Sequence, residues 1–517
     1  MAQQGLVVGG GGIRDPMNAA DFNPSQEFRG TWSLPTAPGT VVGGTLRIDG
    51  RRIELELDGA FWIPGDVHEG DSHRYPVVHG ISREGKAITL LGAYQTGLSM
   101  GASLRGGYLA ESLRAVRAVI GEHVDSEFEV TRMRFWIPGI HVWLANPVIE
   151  RSLTRDEETG FNLFRYRLPI SDDLTTRVDS LQADLEWGTH CQDANMLDCF
   201  NGISVTVSGW MEMRSDSPQV IDWFLDQQAA ASYLLSFLSG TPIRPERIEI
   251  LREGKPEPLS LHLNYAPLIS KSFQHPREFF LDLQSLRIPF QEALNNWFRV
   301  FPGIRKPCEL AYSIFASDRF FLHIEFLSWM QALDGLHRGL PKDLVPIRGQ
   351  KRKKPSLQER LTSLLITLPT ELRRVLMAAD EIPQAWIDSR NYFTHWMENF
   401  QGRVLTNAEI FEANIRLKHL TIVILLRTAG IPLEAILKAY EGVSDFAREL
   451  SSQNAASARR RDPNLDTGLI MSVRPAASTS PAPRTESSAG TSNDEGSGHA
   501  ETGPEKGGGE QDSTEVQ

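Results

Sequence analysis

The stretch DSRNYFTHW, Asp388 to Trp396, sets an arginine, an asparagine and a histidine close together among aromatic residues. Those side chains suit chemistry on a phosphodiester. An imidazole that titrates near neutrality can take the proton of a ribose 2′-OH or protonate a leaving 5′-oxygen. A guanidinium can hold the phosphate and offset the charge that grows on it in the transition state. Asn391 would orient the imidazole or a phosphate oxygen. The nucleophile comes from the substrate, so the reaction requires no metal. The products would carry 2′,3′-cyclic phosphate and 5′-OH ends, and DNA, which lacks the hydroxyl, would not react.

Such residues on a polar helix face are commonly just solvated. The loose arginine-to-histidine spacing also recurs in RYPVVH (Arg74–His79) and RAVIGEH (Arg117–His123). The first has Pro76 and β-branched neighbours and reads as a strand; the second runs through Gly121 in what reads as a helix-to-strand turn. Only Arg390–His395 has the asparagine directly after the arginine and falls on a late helix.

That helix begins near Pro383, which suits a first turn. At about 100° per residue, Trp386, Tyr392, Phe393, Trp396, Met397 and Phe400 share an arc that faces a core. Asp388, Asn391, Thr394 and His395 take the opposite arc, with Arg390 at the seam. Asn391 and His395 are i,i+4 neighbours, whereas Arg390 and His395 lie about 140° apart. A second copy of this face, from a symmetric partner, would gather two arginines and two histidines around one cleft.

The elements that position it come from the pattern of the rest. The chain has 517 residues, 41% of them hydrophobic, and a formal net charge of −12. This is enough for two or three domains, with no global basic footprint for nucleic acid. Residues 1–22 read as a flexible tail, since Gly9 to Gly12 precede no Gly-Lys-Ser/Thr. Residues 23–300 are β-rich: hairpin signals surround Asp49-Gly50 and Glu84-Gly85, and EFEVTRMRFWI, HVWLAN, LFRYRLPI, SLQADLEW and GISVTVSGWMEM read as strands of a sandwich or open barrel. One helix, VIDWFLDQQAAASYLLSFLSG, interrupts them. Residues 305–448 turn to a helical period, with Pro, Gly or Asn breaks between helices, and read as an all-α bundle. Residues 452–517 are too poor in large apolar side chains to offset their ordering entropy and read as a disordered tail. The fold class is α+β. The N-terminus has no signal-peptide pattern and the most apolar run is too short to span a bilayer, so the chain reads as cytoplasmic.

SRNYFTHW resembles the R-N-x-x-x-H signature of HEPN domains, helical bundles that often act as RNases. The layout resembles the Apea-like HEPN group, in which a β-rich N-terminal domain precedes the bundle and some members act in abortive infection against bacteriophage. FLHIEFLSWMQALDGLHR resembles the early HEPN helix that carries an acidic residue. The resemblance implies Arg390 and His395 as the catalytic pair, Asn391 as polar support, and Asp334 as an auxiliary acid that orients Arg390. It also implies a homodimer or larger assembly, an RNA substrate such as tRNA, and an N-terminal domain that senses a phage-derived trigger. The competing reading is a non-catalytic RNA-binding or dimerisation platform.

Three further sets of residues carry expectations. Lys351, Arg352, Lys353 and Lys354, with Lys342, Arg373 and Arg374 nearby, form a basic run suited to an RNA backbone; a solvated interhelix loop is the plainer reading. His190, Cys191, Cys199 and Cys308 lack the spacing of a zinc knuckle, so no metal or other cofactor is expected. Trp62, Trp136, Trp143, Trp187 and Trp210 could stack on sugar or bases, but tryptophans in strands are mostly core.

Overall fold

The computed structural model of the chain describes residues 25–50, 52–61, 73–103, 106–144, 150–155, 162–167, 174–192, 206–264, 273, 275–286, 288–317, 320–345, 355–377, 380–395 and 404–461. Six strands come first: β1 (Gln26–Leu34), β2 (Ala37–Ile48), β3 (Ile53–Leu57), β4 (Arg74–Ser82), β5 (Ala87–Ser103) and β6 (Gly106–Arg114). Their apolar residues alternate, as a one-sided strand requires. Gly50 and Gly85, at φ 75° and 79°, supply the left-handed turns of two hairpins. The ring runs β5-β4-β1-β2-β3-β6 and closes through a β6–β5 pairing. It is a closed barrel where a sandwich or open barrel was expected, filled by Trp32, Leu46, Leu55, Ile88, Leu90 and Leu113.

β5 makes both closure and continuation possible. Its first residues, Ile88–Leu91, pair with β7 (Arg117–Ile120), and after a bulge between Gln95 and Gly97 the strand continues along β6. From β7 the sheet goes on through β15 (Leu259–Leu263), β14 (Arg247–Leu251), β8 (Glu129–Ile137), β13 (Thr206–Val220), β12 (Ala183–Gln192) and β11 (Leu174–Val178). β9 (Glu150–Arg155) and β10 (Asn162–Arg167) form a separate antiparallel pair. One face of the long sheet, with Met133, Phe135, Leu185, Trp187 and Ile250, shares a single core with the helices. Arg132 and Arg134 on the other face both donate to Glu212, whose carboxylate is buried.

Two segments differ from their sequence reading. HVWL, the described part of HVWLAN, lies in a short helix, α1 (Ile140–Leu144), with Ile140, Val142, Trp143 and Leu144 all buried. An apolar run this short has no decisive period, and Gly139, at φ 73°, turns the chain into a helix there. RAVIGEH is strand β7 followed by a turn at Gly121, not a helix end. Its His123 stacks on His79 of RYPVVH at 4.4 Å between ring centroids. Trp136, Trp143, Trp187 and Trp210 are buried; Trp62 lies outside the described residues.

The helices are α2 (Ile221–Ser239), α3 (Phe290–Phe315), α4 (Leu322–Gly339), α5 (Leu357–Leu365), α6 (Thr370–Met377), α7 (Gln384–His395), α8 (Asn407–Thr428), α9 (Leu433–Ala439) and α10 (Asp445–Arg461). α3 does not break where its prolines suggested; it runs through Pro302 and Pro307. Next to them α3 and α4 meet backbone to backbone: a Cβ on Gly339 would come 2.3 Å from the carbonyl oxygen of Gly303. α5 and α8 begin in full capping boxes, Ser356 with Glu359 and Thr406 with Glu409. α10 also corrects the expected tail, because residues 452–461 are helical. Small side chains suffice there: Ala455 is buried, Asn454 donates to the Val375 carbonyl, and Ser457 and Arg460 donate to Glu412. Among the described residues no helix is long and apolar enough to cross a membrane.

α8 is buried on nearly every side, and His419 sits at its centre, fully enclosed. Tyr440 Oη lies 3.0 Å from its Nδ1 and Glu449 Oε2 lies 3.1 Å from its Nε2. Burial pushes His419 down to about 4. Burial also opposes the Glu449 carboxylate, but hydrogen bonds from His419 and Lys418 prevail and bring it to about 2. The neutral imidazole therefore accepts from Tyr440 and donates to Glu449. Its stabilising contribution is complete above the unfolded value of 6.5 and is lost as pH falls towards 4. His419→Ala should cost about 2–4 kcal/mol at pH 7.5 by denaturant titration, since it leaves two buried polar partners unpaired. The gap from wild type should shrink between pH 6.5 and 4.

Candidate active site

α7 packs against α4 and α5, and its burial changes along its length. Trp386, Ile387, Asp388 and Ser389 are buried. Arg390, Asn391, Tyr392 and Phe393 are half-buried, and Thr394 and His395 are exposed. The helix thus enters the bundle at its first turns and emerges at its end. Asp388 is not on a solvent face, as its position on the helical wheel suggested: it is buried, and Gln384 Nε2 donates to its Oδ1 at 2.9 Å. Trp396, Met397 and Phe400 lie outside the described residues.

Ser389 is the anchor that sequence reasoning missed. Fully buried, it donates to the Ala385 carbonyl at 2.7 Å and accepts from the Leu405 backbone N–H at 2.9 Å. This ties α7 to the residue just before the Thr406 cap of α8. No local pattern marks the contact, because its second partner lies far along the chain.

Arg390 Nη1 donates to Asn391 Oδ1 at 3.1 Å, so the asparagine after the arginine holds the guanidinium. Thr394 Oγ1 donates to the Arg390 carbonyl at 2.7 Å. The five-residue spacing puts His395 about 7.5 Å further along the axis and about 140° around it. One copy therefore offers a tethered cation on one side of the helix and an exposed imidazole on another.

Asp334 does not orient Arg390. Its Oδ2 accepts from Arg338 at 2.8 Å and its Oδ1 from Arg360. Burial raises its pKa, but the two guanidiniums outweigh that and hold it below the usual carboxylate range. Arg360 also donates to the Pro355 carbonyl. Asp334 thus joins α4 to α5, the two helices that support α7. Arg373 is likewise engaged, with Thr370 at 2.9 Å and Asp380 at 3.3 Å, and is a poor phosphate contact as it stands. Arg374 is exposed; Lys351, Arg352, Lys353 and Lys354 lie outside the described residues. Cys308 is fully buried in α3, where burial pushes its thiol up, and Cys199 lies outside the described residues.

An aromatic run borders α7. Phe393 faces the His323 ring at 5.8 Å between centroids, and His323 faces Phe321 at 6.1 Å. Phe321 is 77% exposed, with Phe320, Ile324 and Phe411 also open to solvent. Asn414, one turn beyond Phe411 on α8, donates to the Leu322 carbonyl at 3.0 Å and so brings the two ends of this apolar patch together.

Comparison with known families places both halves of the chain. Residues 27–297, more than half of the chain, match the model of ApeA N-terminal domain 1, and residues 327–435 match that of the Apea-like HEPN domain. The chain belongs to the ApeA-type HEPN proteins. The HEPN match spans Asp334, Arg390, Asn391 and His395. HEPN domains are generally ribonuclease domains. No curated protein and no solved structure matches the chain.

Ser389→Ala should leave the half-buried Leu405 N–H without its Ser389 acceptor, at a cost of about 1 kcal/mol. Amide hydrogen exchange should show faster opening around residue 405 than in the β-barrel.

Proposed function

We propose that this HEPN protein is a metal-independent endoribonuclease that works as a homodimer. The reading is supported chiefly by α7, which exposes His395 at its end while Asn391 holds the Arg390 guanidinium, in a domain whose relatives are generally ribonucleases. His395 removes the proton of a ribose 2′-OH. The oxygen attacks the adjacent phosphorus, the bond to the 5′-oxygen breaks, and a histidine imidazolium, the protonated His395 of either copy, gives that oxygen its proton as it leaves. Arg390 neutralises the charge on the phosphoryl oxygens. Asn391 is a positioning residue for Arg390, and Asp334 positions α7 through Arg360.

The angle between Arg390 and His395 argues for two chains per site. A twofold axis near Phe321 would set the exposed imidazole of one chain beside the guanidinium of the other, with Phe320, Ile324 and Phe411 covered by the same contact. Arg374 and the Lys351–Lys354 run supply phosphate contacts that make binding salt-dependent. A flexible single-stranded loop, as in tRNA, suits attack by a 2′-OH. Cleavage of host RNA in the cytoplasm would arrest growth and limit phage spread, with the β domain answering to a phage-derived trigger.

With purified RNA and EDTA, wild type should cut and leave 2′,3′-cyclic phosphate ends. His395→Ala should lower the rate at least about a hundredfold with an unchanged melting midpoint. RNA binding without cleavage, indifferent to His395→Ala, would instead indicate a binding platform. Phe321→Glu should convert dimer to monomer in analytical ultracentrifugation and reduce cleavage in parallel. Its fold should stay intact, since the side chain it replaces is exposed.

A further inference from the structure

The arginine side of α7 carries a run of rings. Phe393 stands three residues beyond Arg390, about 4.5 Å along the helix and about 60° around it, so the two share a face. His395 lies about 160° from Phe393, on the far side. Tyr392 meets Phe393 edge-on at 5.4 Å between centroids and fixes that ring. His323, the second residue of α4, follows at 5.8 Å with its plane inclined by 32°. Phe321 comes next at 6.1 Å and 26°. Phe321 and His323 are exposed and Phe393 is half-buried. A ladder of near-parallel rings thus leads from the guanidinium to solvent.

Nucleobases stack on such surfaces. Every base has a π-face, and an aromatic ring holds it with little regard for sequence. A base joined to a phosphate at Arg390 comes against the rings that begin on the same helix face. The acids beside the ladder are committed elsewhere: Glu325 accepts from Trp329 Nε1 at 3.3 Å, and Glu412, next to Phe411, pairs with Arg416 and Arg460. Phe321, at the proposed twofold contact, is left to the partner chain, so the rungs for a base are His323 and Phe393.

We propose that His323 and Phe393 form the shelf on which the nucleobase beside the scissile phosphate stacks. A base paired in a duplex has its faces covered, so the shelf selects unpaired nucleotides. His323 acts by its ring plane, not by its proton. The inference rests on the nuclease reading of α7 and adds the group that holds the base of the substrate.

The test uses the full-length protein and a single-stranded RNA whose cut is first mapped with wild type. His323→Ala should raise KM about tenfold, the loss of roughly one stacked base. Its kcat should stay within about twofold, because stacking holds substrate and transition state alike. His323→Phe, which keeps a ring and has no proton to give, should restore most of the loss. Both variants should remain dimers in analytical ultracentrifugation, which separates this role from assembly. In RNA blocked by a 2′-O-methyl group at the cut, an abasic nucleotide beside it should weaken binding to wild type about tenfold and cost His323→Ala nothing further. That arm leaves the protein unaltered in wild type. Duplex RNA of the same sequence should bind wild type and His323→Ala alike. The shelf is overturned if KM is unmoved in His323→Ala, if His323→Phe loses kcat as His323→Ala does, or if the protein and RNA losses add. If wild type cuts no RNA, the nuclease reading falls and the shelf with it; cleavage that needs His395 but not His323 removes the shelf alone.

Discussion

Burial of α8 is the constraint on which the helical half depends. A helix apolar on nearly every side cannot rest against one neighbour; it must be wrapped. The few polar side chains it carries then have to find partners inside the wrapping. Arg416 donates to the Leu376 carbonyl at the end of α6, Asn414 to Leu322 at the start of α4, and Arg427 to Leu344 and Thr367 in the connections beyond α4 and α5. His419 and Lys418 reach α10 through Glu449. Each bond meets the cost of a buried polar group by satisfying a backbone carbonyl, hydroxyl or carboxylate on another element. A single buried helix thereby fixes where its neighbours begin and end.

The candidate site inherits its geometry from that arrangement. α7 touches α4 and α5, which Asp334 and Arg360 clamp together, and Ser389 attaches it to the residue before the α8 cap. The exposed end of α7, with Thr394 and His395, then projects outward from these supports. Placement of reactive groups on a supported helix, not on a free loop, keeps them in position without contacts of their own.

Much of this could be read from the chain. Hairpin turns with glycine at 50 and 85, the alternation in β1 to β4, and the period of α4 and α8 are all local signals, and they gave the right elements. The grouping of Arg390, Asn391 and His395 on one late helix was also legible. What escaped was set by distant contacts. Residues 140–144 took a helical turn in which Ile140, Val142, Trp143 and Leu144 are buried by distant elements. α3 runs through its two prolines where Gly303 and Gly339 let it lie close against α4, a contact with a distant helix. Asp388 and Ser389 face inward because α7 is a helix that plunges, a fact no helical wheel contains. The partners of Asp334 depend on Arg360, supplied by a helix whose distance from α4 the sequence does not state.

β5 belongs to two structures at once: its early residues are rungs of the long sheet and its later ones a stave of the barrel. An exchange of barrels between relatives would have to cut through a continuous strand and re-form both sets of backbone bonds. Inheritance of a new barrel as an interchangeable cassette is therefore disfavoured. Diversification of this half should proceed by point changes on its loops and lining, leaving the strand that unites it with the rest uninterrupted.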